Sequence, residues 1–490
     1  MTSPLMRVHL VPVPLMTLAI QIDAASAVPV HRQIYEAWRR GILMGRFVAG
    51  GRVPSTRELA GTLAVSRSTV SQAYDQLVSE GYLEGVRGSG TFVCRELPDR
   101  PLRGDRVAGN RAAARSVRLS MYGSELVEDY PHDGGRPGFV CFSQWEPDRE
   151  AFPWRLWRRL LARHSRVPGC GLFGYAEQVS GDEALRREIA SYAGRSRGVN
   201  CTPSQVLVVN GSQQGLDLCA RLLFDRGDNV IVENPGYPGA IRTFKAYGAA
   251  LKPAAVDCDG IVCRDLIDDA RVVYVTPSHQ YPTGVSMSLN RRLEILAWAR
   301  RRSAVIIEDD YDSEYRYSGA PLPALQGLAE EVPVIYCGTF SKVMFPGLRI
   351  GYLILPEALI PTFTRAKRLA DNFTPLLEQM ALRDFIAEGH LERHIRRMRR
   401  MYGRRREALL ESLRRHLGDA AKVYGDDAGM HSYVQITDPA LRERAHRNRV
   451  QLRSAQACFL DGNHPHQYLF GFASLSERAI RDGIRRLARQ

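Results

Sequence analysis

Val334-Ile335-Tyr336-Cys337-Gly338-Thr339-Phe340-Ser341-Lys342, with Arg349 seven residues further on, is the stretch that decides the fold. Four consecutive apolar residues are too few for a helix and show no polar alternation, so Val334–Cys337 reads as a strand buried on both faces. The run ends in small and hydroxyl residues and then a lysine. A lysine behind two hydroxyls at a strand end, with an arginine following, offers an amine for Schiff-base chemistry beside a clamp for a phosphate. Without that company it would be an ordinary solvated charge.

Working outward, similar runs occur at Val206–Val209, Val230–Glu233, Val272–Thr276 and Val305–Glu308, with helical patterns such as Arg291–Arg301 between them. Buried strands alternating with helices make a largely parallel sheet covered on both faces, and ligands bind beyond the carboxyl ends of its strands. Polar motifs follow those ends. Asn210-Gly211-Ser212-Gln213-Gln214-Gly215 is a strand-to-helix loop whose amides suit a phosphate. Asn234-Pro235-Gly236-Tyr237-Pro238 puts an aromatic in a turn, where the plain alternative is a surface tyrosine. Pro277-Ser278-His279-Gln280-Tyr281-Pro282-Thr283-Gly284 ends the third run. Glu308-Asp309-Asp310-Tyr311 ends the fourth, and consecutive carboxylates at a buried strand end are costly unless cations or donors meet them.

Upstream, Ile34, Trp38 and Ile42 recur at helical spacing, giving a helix that ends near Gly45. Ser55 and Glu58 stand at capping-box spacing before a second, short helix with Leu59, Ala60 and Leu63 inward. In a third helix Val70, Tyr74 and Leu77 face inward, leaving Arg67, Ser68, Ser71 and Gln72 outward near its start. That suits a recognition helix, although a serine-rich helix start is also an ordinary cap. Tyr82–Glu84 and Thr91–Val93 read as strands around Arg87-Gly88-Ser89-Gly90, a hairpin tip able to act as a wing.

At 490 residues the chain exceeds one ordinary core, and 44% hydrophobic with 24% charged residues is a folded composition. The net charge of +14 suits a polyanionic partner or an arginine-rich surface. Nine scattered cysteines hold no metal spacing, so neither a disulfide nor a metal is expected. Pro4, Pro12 and Pro14 break up the apolar start, which leaves no membrane span or leader and leads into a strand, Thr17–Ile22. Periodicity is lost from Arg95 to about Phe139, where Arg, Gly, Ala, Asp and Pro suit a tether. The basic run Arg393–Arg400 reads as a solvated helix face rather than a DNA contact.

Residues 29–93 resemble the winged helix of GntR regulators, and 141–490 resemble the fold type I aminotransferases; together they resemble the MocR subfamily. The specific motifs are Glu308–Tyr311, Gly338–Lys342 and Leu348-Arg349-Ile350-Gly351-Tyr352. The resemblance implies an α+β winged helix-turn-helix domain (17–94), a flexible linker (95–140) and an α/β aminotransferase-like domain with a smaller C-terminal subdomain (141–490). The implied cofactor is pyridoxal 5′-phosphate. Lys342 would be its Schiff-base residue, Asp309 would pair with the pyridine nitrogen, and Tyr311 would bond the ring hydroxyl. Tyr237 would stack on the ring, while Ser212, Gln213, Thr339, Ser341 and Arg349 would hold the phosphate. Tyr281 stands where many relatives have Asn. Arg57, Ser66, Arg67, Ser68, Thr69, Arg87 and Gly88 would meet DNA.

Leu469 occupies the position where many relatives grip a substrate carboxylate with Arg, and His431, Arg453 or another basic residue could substitute, unless the effector is the cofactor itself. The implied protein is a cytoplasmic, homodimeric regulator that binds an operator in double-stranded DNA and senses a small amine, an amino acid or a vitamin, including the cofactor itself. Schiff-base formation or partial transamination is compatible with this, efficient aminotransferase turnover is not expected, and an active aminotransferase with an accessory DNA-binding module is the alternative.

Overall fold

The computed structural model describes residues 7–13, 16–23, 26–98, 117–126, 135–142, 146–166, 174, 178–319, 322–425, 427–462 and 464–489. The chain divides into two compact units, Met1–Val117 and Arg118–Gln490.

The first unit runs β1 (Arg7–Val13), β2 (Met16–Ile22), α1 (Val30–Leu43), β3 (Arg52–Val53), α2 (Thr56–Leu63), α3 (Arg67–Ser79), β4 (Leu83–Val86) and β5 (Gly90–Val93). β1 and β2 form a hairpin, and β3, β5 and β4 form a small antiparallel sheet in that order. Trp38 of α1 is fully buried, 4.8 Å from the Phe47 ring and edge-on to Tyr74 of α3 at 6.0 Å. Burying a side chain of this size contributes about 1.5–3 kcal/mol, which ties α1 to α3. The capping box forms as expected: the Ser55 hydroxyl accepts from Glu58 N at 3.2 Å, and Ser55 N donates to Glu58 Oε2 at 2.8 Å.

The second unit begins with α4 (Met121–Glu125), β6 (Val140–Cys141), α5 (Trp154–Ser165) and α6 (Glu183–Arg197). It continues with β7 (Val206–Val209), α7 (Ser212–Leu223), β8 (Asn229–Asn234), α8 (Pro238–Ala246), β9 (Ala250–Asp257), β10 (Gly260–Ile261), β11 (Val272–Val275), α9 (Leu289–Arg302), β12 (Val305–Asp310), α10 (Leu325–Leu328), β13 (Val334–Thr339) and β14 (Gly351–Ile354). The remainder is α11 (Ile360–Asp371), α12 (Leu376–Ala387), α13 (His390–Leu417), β15 (Ala421–Tyr424), β16 (His431–Ile436), α14 (Leu441–Arg447), β17 (Val450–Gln451), β18 (Arg453–Ser454), β19 (Gln467–Gly471) and α15 (Glu477–Ala488).

An eight-stranded sheet in the order β10-β9-β8-β11-β12-β13-β14-β7 forms the centre. β9, β8, β11, β12 and β13 run parallel, and β14 is antiparallel to both its neighbours. Every residue of β7, β11 and β13 is buried, as the unbroken apolar runs require. Neighbouring residues serve opposite layers: Ile307 packs with Leu216 and Phe244, whereas Ile306 packs with Trp298 and Ala299. β12 and β13 continue past the expected ends because Asp309 and Asp310 still pair with Cys337 and Gly338. A second sheet, β15-β16-β19-β18, belongs to the smaller subdomain, where α13 and α15 pack together.

Part of the stretch expected as a tether is built into the second unit. Lys245 of α8 pairs with Glu125 of α4 at 3.4 Å, and Tyr122 meets Tyr247 at 4.8 Å between ring centres. Such short-range contacts by a five-residue helix leave no periodic trace in sequence.

Candidate cofactor and DNA sites

The strand ends converge on one cavity of about 290 Å³. Ser212 and Gln213 line it from the start of α7, Tyr237 from the turn before α8, and Tyr281 from the loop after β11. Asp309 and Tyr311 contribute from the end of β12, Thr339, Ser341 and Lys342 from the end of β13 and beyond, and Arg349 from the turn before β14. The ten residues expected around the cofactor thus share one cavity.

One end of it suits an anion. Gly211, at φ +84°, caps α7, and a Cβ there would stand 2.8 Å from Arg349 Nη2. Arg349 Nη2 donates to the Asn210 carbonyl at 2.9 Å, which holds the guanidinium against the first amides of α7. Ser341 N donates to Thr339 Oγ1 at 3.2 Å, and both residues line the same cavity. Helix amides, hydroxyls and a guanidinium form a phosphate cradle. Gln213 turns partly aside, donating from Nε2 to Thr243 Oγ1 at 2.6 Å.

The three consecutive carboxylates separate. Glu308 accepts from the amides of Leu325 and Gln326 at 2.9 Å each. Asp310 accepts from Arg197 Nε at 2.7 Å and from the Tyr336 hydroxyl at 2.8 Å, and Arg197 holds its carboxyl below the usual range despite burial. Only Asp309, on the opposite face of β12, enters the cavity. Its Oδ2 accepts from the Tyr274 hydroxyl at 2.7 Å, while its Oδ1 is buried without a partner. Burial pushes Asp309 up to about 7 against the opposing bond from Tyr274. A buried acceptor left in this way calls for a donor, preferably cationic.

Burial brings Lys342 down to about 8 against Asp312 and Glu146, with Arg453 adding to the fall. About a tenth of its amine is therefore unprotonated at pH 7, far more than for a solvated lysine, and that is the form that acts as a nucleophile. Tyr281 lies 5.4 Å from Tyr237 and 5.9 Å from Tyr311, each nearly edge-on, so aromatic rings wall the middle of the cavity. Behind them sits an arrangement that motif reading did not assign. His279 Nδ1 is 2.8 Å from Asp312 Oδ1 and 3.0 Å from the Tyr311 hydroxyl. A carboxylate only accepts, so Nδ1 carries the proton toward Asp312 and the Tyr311 proton is available to another acceptor. Glycine at 429, φ +83°, is required here because a Cβ would reach 1.9 Å from His279 Cε1. In sequence His279 stands within Pro277–Gly284 and Asp312 one residue beyond Glu308–Tyr311, while Tyr274 reads as part of the apolar run Val272–Thr276.

Leu469 is fully buried in an apolar cluster with Tyr281, Tyr433, Ala455 and Cys458. Arg453 stands directly across the strand pair from it. His431 is buried with Nε2 3.2 Å from the Pro282 carbonyl, and burial, reinforced by His279, lowers it to about 3. It is therefore neutral near pH 7.

In the first unit Arg57, Arg67, Ser68, Arg87 and Gly88 are exposed. The Ser66 hydroxyl caps α3, accepting from Thr69 N at 3.1 Å, and lies 2.7 Å from Thr69 Oγ1. Ser66 and Thr69 thus first fix the helix start that presents Arg67. Gly88 has φ +82° at the hairpin tip, where the turn favours glycine.

Residues 30–93 match the family of bacterial regulatory proteins, gntR family, and residues 171–474 match aminotransferase class I and II. The chain is 41% identical over 471 residues to the probable rhizopine catabolism regulatory protein MocR of Rhizobium meliloti, covering 95% of this chain and 94% of that one. The chain belongs to the MocR subfamily of GntR regulators. A second MocR-type relative is the HTH-type pyridoxine biosynthesis transcriptional regulator PdxR of Corynebacterium glutamicum, 34% identical over 401 residues, 81% of each chain. Among solved structures, LysN, the α-aminoadipate aminotransferase of Thermus thermophilus complexed with N-(5′-phosphopyridoxyl)-L-leucine, is similar with a TM-score of 0.67 and 29% identity, covering 76% of this chain and 94% of that one.

This MocR-type chain is a DNA-binding transcription regulator whose second unit binds pyridoxal 5′-phosphate. The cavity fits that group: an anion cradle at one end, an aromatic-walled middle, an unpartnered buried carboxyl oxygen, and an amine with a lowered pKa. Among the described residues no helix is long and apolar enough to cross a membrane.

Proposed function

We propose that this chain is a cytoplasmic, homodimeric regulator whose affinity for its operator changes when a small amine, an amino acid or the cofactor itself occupies the second unit. The supporting observation is the convergence of ten side chains on one cavity in a chain that also presents an exposed recognition-helix face. Residues 17–94 form the reader, 95–140 the connection and 141–490 the effector domain in this reading.

When bound, pyridoxal 5′-phosphate supplies an aldehyde and a pyridine ring that withdraws electrons. Lys342 would be its covalent anchor. Asp309 Oδ1 would accept from the protonated ring nitrogen, Tyr311 would donate a hydrogen bond to the ring oxygen, and His279 with Asp312 would keep Tyr311 in place. Tyr237 would stack on the ring and Tyr281 would close the slot beside it. Ser212, Gln213, Thr339, Ser341 and Arg349 hold the phosphate. Arg453 takes an effector carboxylate, since His431 is neutral and Leu469 offers no charge. Arg57, Ser66, Arg67, Ser68, Thr69, Arg87 and Gly88 make the DNA face, with phosphate contacts fixing register and base contacts giving specificity.

The complete Lys342, Asp309 and Tyr311 set favours a second reading, an active aminotransferase with an accessory DNA reader. Against efficient turnover stands Leu469: in place of the usual Arg only Arg453 of the neighbouring strand is at hand, a displaced anchor that holds an effector carboxylate without the orientation that turnover needs. Borohydride treatment of cofactor-loaded protein should fix a pyridoxyl group on the peptide containing Lys342, and Lys342→Ala should lose the reducible visible absorbance. Reduction at the same peptide in that variant would contradict the anchor assignment.

A further inference from the structure

We propose that the arginine-lined groove between α13 and α15 is a second binding surface for the phosphate backbone of double-stranded DNA. This rests on the reading that the first unit binds DNA, and it assigns the effector unit a direct share of the contact. The groove has a volume of about 900 Å³ and is lined by Arg415, Arg478, Arg481, Arg485 and Arg486 against only two carboxylates, Glu411 and Asp482.

Charge is distributed to match. Residues 390–490 hold 21 Lys+Arg against 11 Asp+Glu, whereas residues 118–389 hold 31 against 33. The whole positive excess of the second unit therefore sits on its last stretch of chain, and it exceeds the excess of the DNA reader, where residues 1–117 hold 15 against 9. A charge balance set only by solubility would have no reason to collect on one subdomain.

Local pairing offsets only part of this excess, Arg415 meeting Glu411 at 3.4 Å. Arg485 and Arg486 share the single carboxylate of Asp482, each at 2.6 Å. Glu477, 3.9 Å from Arg481, is also engaged by Arg404 at 3.1 Å. Arg478 is exposed and has no carboxylate partner among the described residues. Arg478 to Arg486 spans about 12 Å of helix at 1.5 Å per residue, longer than one phosphate or carboxylate and comparable to a length of duplex axis that carries several phosphates, at about 3.4 Å of axis per phosphate of one strand. A duplex held by the reader on the same chain would meet this surface at high effective concentration. The plain alternative, a solvated basic face, predicts no DNA effect from changing it.

The test uses the full cofactor-loaded chain and a long random-sequence duplex, with anisotropy followed from about 50 to 200 mM salt. Each phosphate contact contributes about 0.9 to the slope of log affinity against log salt. Arg415→Ala/Arg478→Ala/Arg481→Ala should lower the slope magnitude by about 3, shrinking the affinity loss over that salt range by about 40-fold relative to the parent. Arg300→Ala/Arg301→Ala/Arg302→Ala removes the same charge from α9 and should leave the slope unchanged. If the groove triple variant does not fold, Arg478→Glu at its exposed position should lower the slope by at least about 1. An unchanged slope in the groove variant, or an equal fall in the α9 variant, overturns the proposal while leaving the reader intact. Failure of the parent to bind the duplex at the lowest salt overturns both.

Discussion

Replacing Asp309 with Asn separates what the cavity needs from what the fold prefers. Asp309 is 4% exposed and titrates near 7 rather than at the usual 3.8, because burial penalises its charge. A raised acid pKa means that the folded state holds a proton the unfolded chain has released. Stability is thus fully present below about pH 4 and falls as pH rises toward 7. At about 1.4 kcal/mol for each tenfold change, the ionised carboxyl opposes folding of the cofactor-free unit by about 4 kcal/mol above pH 7. Asn keeps an oxygen for the Tyr274 hydroxyl and carries no charge. In urea unfolding of cofactor-free protein, Asp309→Asn should match the parent near pH 4 and exceed it by up to about 4 kcal/mol at pH 8. Bound pyridoxal 5′-phosphate should reverse the order at pH 8, because only the parent offers the ring nitrogen a counter-charge. A variant less stable than the cofactor-free parent at pH 8, or equally stabilised by cofactor, would refute the reasoning.

Other outcomes follow from the same geometry. Arg67→Ala should weaken operator binding by about 1–3 kcal/mol if its guanidinium reads a base bidentately, measured by electrophoretic shift in a variant with an unchanged melting profile. Tyr311→Phe should shift the visible absorbance of the bound cofactor, and His279→Ala should shift it in the same direction, since His279 acts through Tyr311; a spectrum unmoved by either would remove this pair from the site. Arg453→Ala should abolish the spectral response to amino acids while sparing the response to amines without a carboxylate. With 2-oxoglutarate or pyruvate as acceptor, turnover should stay below the ordinary enzyme range of about 1–1,000 per second.

Runs such as Val206–Val209 made the parallel sheet legible, because strands buried on both faces must be apolar throughout. Gly211 and Lys342 were legible for a related reason: each follows a strand end, where such sheets place ligands. The fate of Glu308 and Asp310 was not. Their partners, Arg197 and the amides of Leu325 and Gln326, come from distant parts of the chain, so three adjacent carboxylates looked like one site. Tyr274 was hidden differently, since periodicity scores its ring and ignores the hydroxyl that Asp309 uses. The same limit applies to Ser66 and Thr69, where a helix cap and a DNA contact use the same residue types.

The most direct test of a regulator that senses through its aminotransferase-like unit is a single titration with two readouts. Candidate amines and amino acids are added to cofactor-loaded protein bound to operator DNA, and the visible spectrum and DNA affinity are followed together in the parent and in Lys342→Ala. The expected result is a spectral change that tracks a change in DNA affinity in the parent, without turnover, and the absence of both responses in Lys342→Ala. Spectral changes with sustained turnover and unaltered DNA affinity would contradict it.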